Sequence, residues 1–196
     1  ARTAKRTAAR DVLRDRVVDA AIAIADAEGL AAVSLRAVAA KVGAPVMSLY
    51  RHVASKDELF RLMTDAALGE GELPESPPKG WRARVELAVR AEWRVFRRHP
   101  WLSRLVNLTR PQPLPHAARY ADWMFGALES MGASAPARMR MHVLLHAFVQ
   151  GLAVNVEAEA EAAGETGLSE DEFMRDQMRA FEALGYGGEV IVGNPA

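Results

Sequence analysis

The 196-residue chain contains no cysteine. Disulfides, thiolate-held metals and thiol nucleophiles are therefore excluded, and the composition fits a reducing compartment. No stretch approaches the roughly 18 uninterrupted apolar residues of a membrane-spanning helix. The opening ARTAKRTAARDVLRDR has none of the apolar centre of a secretion signal. A cytoplasmic chain with no membrane partner is the expectation. Strand-like alternation and internal repeats are also missing. So is net charge: 25 Lys and Arg balance 25 Asp and Glu. Taken whole, that balance gives no sign of a polyanionic partner.

The distribution of charge says more. Residues 1–56 hold ten basic against five acidic side chains, whereas residues 157–196 hold ten acidic side chains against Arg175 and Arg179. A basic front and an acidic back suit a chain with one polyanion-facing module, although two solvated faces would give the same count. Half the residues are hydrophobic, enough for one large domain or two small ones.

Helical spacing dominates. Residues 1–10 read as a loose basic arm. Asp11 to Glu28 place Val17, Val18, Ala21, Ile24 and Ala25 on one face, and Gly29 ends the run. Ser34 caps a helix to Val42 whose inward side is Leu35, Val38, Ala39 and Val42, with Gly43 as its stop. Pro45 suits the first turn of the next helix. Ser55-Lys56-Asp57-Glu58 has the form of a capping box opening a helix to Leu68. GEGELPESPPKG, residues 69–80, is the clearest linker and sets the expected boundary between a domain at 1–68 and another at 81–196. Further helices are expected at Trp81–Arg98, Trp101–Leu108, His116–Met131, Pro136–Ala163 and Ser169–Leu184, with a second capping box at Ser169 and Glu172 and a frayed Gly-rich tail. The helix from Pro136 is apolar on nearly every side, which implies burial in the core or between subunits.

The short segment Val46 to His52 stands out. Two helices joined by the Gly43-Ala44-Pro45 turn form a helix-turn-helix, whose second helix is a delivery device for the major groove. Leu49 and Val53, four apart, would anchor it from behind. Val46, Met47, Ser48, Tyr50, Arg51 and His52 would face double-stranded DNA: hydroxyls and His reach phosphates, Arg forks onto guanine, and Val and Met touch thymine methyls. Ser34 and Arg36, and Lys56 beside the Ser55 cap, put cations and amide dipoles at two helix starts suited to phosphate. Many helical hairpins share such a turn without any DNA role.

VSLRAVAAKVGAPVMSLYRHVASKDELF resembles the DNA-binding domain of TetR-type (tetracycline-repressor-like) bacterial transcription regulators. The resemblance is carried by Ser34-Leu35-Arg36, Val38-Ala39, Gly43, Ser48 to Val53 and Ser55 to Leu59. It is strong over residues 11–68. It continues more weakly through His99-Pro100-Trp101, Thr109-Arg110-Pro111 and Gly151, which are similar to the tetracycline-repressor-like effector domain. It implies an all-α chain: an N-terminal three-helix helix-turn-helix domain, then a helical effector-binding and dimerisation domain. It also implies a homodimer on a palindromic operator, repression, and release by a small-molecule effector. Pro45 stands where the family often has Ser or Thr, so a hydroxyl cap is lost there, and Val46 and Met47 make the helix tip apolar.

In the back half, Trp93, Phe96, Trp101, Met124, Phe125 and Met139 are candidates to line an apolar ligand pocket, though each is also an ordinary core residue type. His142 and His146, one turn apart, could hold a metal. The Glu of a zinc-protease motif is missing and no third ligand is evident, so pocket-wall or interface histidines are the preferred reading. The resemblance also marks Thr109 and Arg110 as a turn beside the pocket. It aligns Val106 and Asn155 with the residues that hold a metal–tetracycline complex in the family's namesake. Neither suits magnesium, so the expectation is a different, largely apolar effector bound without metal or other cofactor. A helical enzyme, or a ligand-sequestering protein with a vestigial helix-turn-helix, is the rival reading. It lacks a Ser/His/Asp grouping, and the acids cluster on a solvated stretch instead of in the pocket.

Overall fold

The computed structural model describes residues 2–106 and 112–185, with side chains throughout except at 2–11, 157, 159–165 and 170. Its regular structure among the described residues is wholly helical. The helices are α1 (Arg2–Glu28), α2 (Leu35–Val42), α3 (Val46–Leu49), α4 (Lys56–Gly69), α5 (Trp81–Arg98), α6 (Pro115–Glu129), α7 (Ala135–Thr166) and α8 (Glu170–Ala183), with short 3₁₀ turns at Leu30–Ala32 and Pro100–Arg104. Contacts divide the chain into two compact units, residues 1–154 and 155–196. The linker at 69–80 lies inside the first.

The first four helices form as the spacing dictates. Val17, Ala21, Val33, Val38, Leu49, Val53, Leu59 and Met63 are fully buried in one core. α1 packs on α2 and α4, and α2 on α3. The helix of α1 runs back to Arg2, so the basic arm expected at residues 1–10 is helical from its second residue; its many Ala, Arg and Lys residues are strong helix formers. Ser34 Oγ accepts the Ala37 N–H at 3.1 Å. Gly43 closes α2 in the left-handed conformation (φ 71°), and Ala44 N–H returns to Ala39 O at 3.0 Å. Pro45 sits one place earlier than expected. It is the N-cap of α3 in extended geometry (φ −60°, ψ 136°), not its first helical residue.

At α4 the cap is formed differently from a strict capping box. Ser55 Oγ accepts the Glu58 N–H, but the Glu58 carboxylate reaches past Ser55 to the Ala54 N–H at 2.7 Å. The box at Ser169 is complete, with both reciprocal bonds to Glu172.

α5 has the expected bounds, but its buried face is Ala88, Ala91, Glu92, Val95 and Phe96. α6 packs on α5 and on α4. His116 fixes the latter contact: its N–H donates to Asp65 Oδ1 at 2.9 Å, and its ring lies where a Cβ on Gly69 would be 2.9 Å away. Of the restart expected at Trp101–Leu108, the described part, to Val106, holds a five-residue 3₁₀ turn at Pro100–Arg104, and residues 107 and 108 lie outside the described residues. Pro100 opens the turn, and Gln150 ties down its end by donating Nε2–H bonds to Ser103 O (2.8 Å) and Val106 O (2.7 Å). The expected tail lies outside the described residues beyond Gly185.

α7 is not buried on every side within the chain. His146, Val149 and Ala153 turn inward, but Leu144, Phe148 and Leu152 are exposed on one stripe. In the second unit, α8 is amphipathic, with Phe173, Met174 and Phe181 exposed. No described helix is long and apolar enough to cross a membrane.

Candidate DNA interface and ligand cavity

α3 is a single turn of helix, continued by three turn residues to His52. Leu49 and Val53 are fully buried and clamp it to the core. A segment this short has no helical stability of its own, so packing from α2 and the core holds it. The outer surface carries Met47, 76% exposed, Tyr50, 47% exposed, and Arg51. Arg51 Nη2 donates to Ser48 Oγ at 3.4 Å. Ser34, Arg36 and Lys56 are exposed on the flanking helix starts. Lys56 Nζ rides over the Phe60 ring, 5.0 Å from its centre.

Three expected DNA-facing residues differ from that picture. Val46 is half-buried against the core, because it lies on the same side as Leu49 and Val53. Ser48 and His52 are also half-buried, and His52 Nδ1 is shielded from solvent. The exposed tip is therefore Met47, Tyr50 and Arg51.

A cavity lies among α4, α5, α6, the first half of α7 and the residues at 105–106 and 112–114. It encloses about 500 Å³ and is mostly apolar, with Leu68, Val95, Leu105, Val106 and Leu114 on its walls. His142 and His146 line it, as the sequence suggested. The other aromatic and methionine candidates do not. Phe96 and Met124 are packed shut in the core. Trp101 is 2% exposed and donates Nε1–H to Asp26 Oδ1 at 2.7 Å, toward α1. Trp93 lies half-buried on another face of α5, under Arg97. Phe125 touches the His142 ring edge-on without reaching the cavity wall. Met139 is half-exposed, and Asn155 is exposed at the start of the second unit. These side chains fall on helix faces that spacing alone did not orient. Thr109 and Arg110 lie outside the described residues.

Sequence reasoning missed the cavity's polar floor. Glu92 is 5% exposed, accepts the Tyr120 hydroxyl at 2.9 Å and accepts Nδ1–H of His146. Burial, reinforced by the neighbouring carboxylate, pushes the Tyr120 phenol far above its ordinary value. Burial and the adjacent His146 hold His142 below the usual imidazole range, with Glu92 opposing. The available signal was an acid in register with Ala88, Val95 and Phe96 on the apolar side of α5.

A second missed cluster links this region to the first helices. His99 is 1% exposed. Its Nδ1 lies 2.8 Å from Asp26 Oδ1 and its Nε2 3.1 Å from Glu70 Oε2. Arg98 meets the same Glu70 oxygen at 3.1 Å. One imidazole thus clasps the end of α1 to the end of α4, immediately before the turn whose far end forms the cavity wall.

Comparison with known proteins bears on both regions. Residues 17–63 match the model for bacterial regulatory proteins of the tetR family, and residues 73–186 match that for the tetracyclin repressor-like C-terminal domain. The HTH-type transcriptional repressor DrrR1 of Streptomyces coeruleorubidus is 40% identical over 171 residues, 87% of this chain and 63% of that protein. An HTH-type transcriptional regulator of Saccharopolyspora erythraea is 36% identical over 61% of this chain and 50% of its own length. The chain therefore spans half to under two thirds of these relatives. The structure of the TetR family protein ActR of Streptomyces coelicolor in complex with actinorhodin aligns with a TM-score of 0.72 at 31% identity, covering 86% of this chain and 76% of that one. The chain belongs to the TetR family of bacterial regulatory proteins.

Proposed function

We propose that the chain is a cytoplasmic, DNA-binding transcriptional repressor that sits on a palindromic operator as a homodimer and is released by a small, largely apolar effector. On this reading residues 1–68 engage DNA, and residues 81–196 bind effector and partner subunit. The observation that carries the proposal is α3: a turn of helix anchored by Leu49 and Val53, offering Met47, Tyr50 and Arg51 between two helix starts that hold Arg36 and Lys56. Such an arrangement delivers a few side chains to base edges while cations and amide groups at its margins meet phosphates.

The homodimer is supported by the exposed stripe Leu144, Phe148 and Leu152 on α7 and by Phe173, Met174 and Phe181 on α8. Apolar stripes on helices are what a four-helix seam between two copies covers. The effector reading is supported by the cavity and by the complex of the similar protein ActR with actinorhodin. Release works through the His99 clasp. A ligand against Leu105 and Val106 shifts the 3₁₀ turn, His99 moves with it, and α1 and α4 reorient the α3 they carry. Two half-sites on one DNA face lie about 34–36 Å apart, so a changed span between the two α3 helices breaks one half of the contacts.

The test is selection of bound DNA from genomic fragments, followed by titration of salt. A regulator retains particular fragments, with affinity falling steeply as salt rises. Uniform retention of all fragments, or of none, contradicts the proposal.

A further inference from the structure

The leading end of α3 carries no polar side chain that reaches outward. Pro45 caps it in an exposed position and makes no side-chain hydrogen bond there. Val46 is half-buried against the core. Ser48 is half-buried too, and its Oγ accepts from Arg51 Nη2. Leu49 is fully buried. Of the four residues of the helix, only Met47 stands well out. Helical side chains lean toward the N-terminus, and it is the N-terminal residues of such a helix that meet base edges. Met47 is thus placed at the end of α3 that reaches the bases first, and Tyr50 follows three residues on. Arg36 and Lys56, exposed at the flanking helix starts, leave the phosphate contacts to others.

We propose that Met47 is a specificity-determining residue that selects a thymine in the bound site by packing on its C5-methyl group. This rests on the reading of α3 as the element that enters the major groove. The choice of base follows from what each base exposes there. Guanine offers two acceptors, adenine an acceptor and a donor, cytosine a donor, and thymine an acceptor beside a methyl group. A thioether has no donor and only a weak acceptor. Laid over guanine, adenine or cytosine, it strips water from a polar edge and returns no good hydrogen bond, which costs free energy. Laid over thymine, it buries apolar surface against apolar surface. Its three rotatable bonds let it follow the methyl group without any shift of the backbone. Tyr50 and Arg51 carry the hydrogen-bonding groups, so the two ends of the exposed tip read different chemistry.

The test uses the full chain and a duplex recovered by selection from genomic fragments. Each thymine is replaced in turn by deoxyuridine, which keeps every hydrogen-bonding group and removes only the methyl. Fluorescence anisotropy gives the affinities. At one thymine, or at a symmetry-related pair, the replacement is expected to weaken binding by the parent about fourfold per methyl, the scale of one buried methyl group. Met47→Ala is expected to bind the unmodified duplex at least that much more weakly than the parent does. It is also expected to lose nothing further when that thymine is replaced, and to melt at the parent's temperature. A parent indifferent to every replacement, or a methyl preference equally large in Met47→Ala, would overturn the assignment to Met47 and leave DNA binding by α3 standing. Failure of the parent to hold any duplex removes both readings.

Discussion

Tyr50 and Lys56 are exposed at the rim of α3 and α4 and have no part in the core, so their effects on DNA and on folding separate. Replacing either with Ala is expected to weaken operator binding by about tenfold, in line with roughly 1–3 kcal/mol for a specific contact, and to leave the melting temperature unchanged; a fluorescence-anisotropy titration and a thermal melt decide. Leu49→Ala does the opposite. It empties a fully buried site and is expected to destabilise the chain by about 2–5 kcal/mol, read from denaturant midpoints, with DNA binding lost through unfolding. At the cavity, His142 has a folded-state pKa below its unfolded one. Its contribution is therefore complete above the unfolded value near 6.5 and declines as pH falls below it, because the unfolded chain takes up the proton first. The melting temperature of the parent should fall more between pH 7.5 and 5.5 than that of His142→Gln; parallel curves would refute the burial argument. Spacing in the sequence identified Leu49 and Val53 as anchors, since four residues on a helix fix a face. It could not orient Val46, whose side depends on where a one-turn helix begins. It could not find the pairing of Glu92 with His146, because those residues meet only when α5 and α7 pack.

Among the helices, caps were legible and lengths were not. Ser34, Ser55 and Ser169 all cap as their residue types require, since a hydroxyl three residues before an amide is a local relation. The extension of α1 to Arg2 and the 3₁₀ turn at Pro100–Arg104 were missed, and the second is tied down by Gln150 from a distant helix. Gly69 has a similar non-local cause. The His116 ring, held at Asp65, comes within 2.9 Å of where a Cβ on Gly69 would sit, so Gly69→Ala is expected to displace the ring from Asp65 and lower stability by about 1–3 kcal/mol, as overpacking does. The all-round apolarity of α7 was read as burial in the core or between subunits, and within the single chain its apolar surface splits in two. His142, His146 and Val149 face inward; Leu144, Phe148 and Leu152 form an exposed stripe that a second copy can cover. Phe148→Glu places a charge on that stripe. Sedimentation at micromolar concentration should then give a monomer where the parent gives a dimer. A parent already monomeric would contradict the dimer directly.

For the whole molecule, the charge asymmetry and the helix-turn-helix block pointed to a DNA-facing front half, while the contact that ties α1 to α4 was not legible. His99 joins Asp26 on α1 to Glu70 at the end of α4 from a position just before the cavity-wall turn. Nothing in the local sequence around His99 announces partners 73 and 29 residues away. If the clasp carries the ligand signal, His99→Gln should keep effector affinity and operator affinity measurable but uncouple them, so that saturating effector no longer releases DNA. The central claim, that this chain reads duplex DNA through α3, is tested most directly by titrating the purified protein, at low and then rising salt, into genomic fragments recovered by selection. The account predicts tight binding to particular fragments that fades steeply with salt and is lost in Tyr50→Ala. Indifference to every duplex at low salt, or equal binding by the parent and Tyr50→Ala, would contradict it.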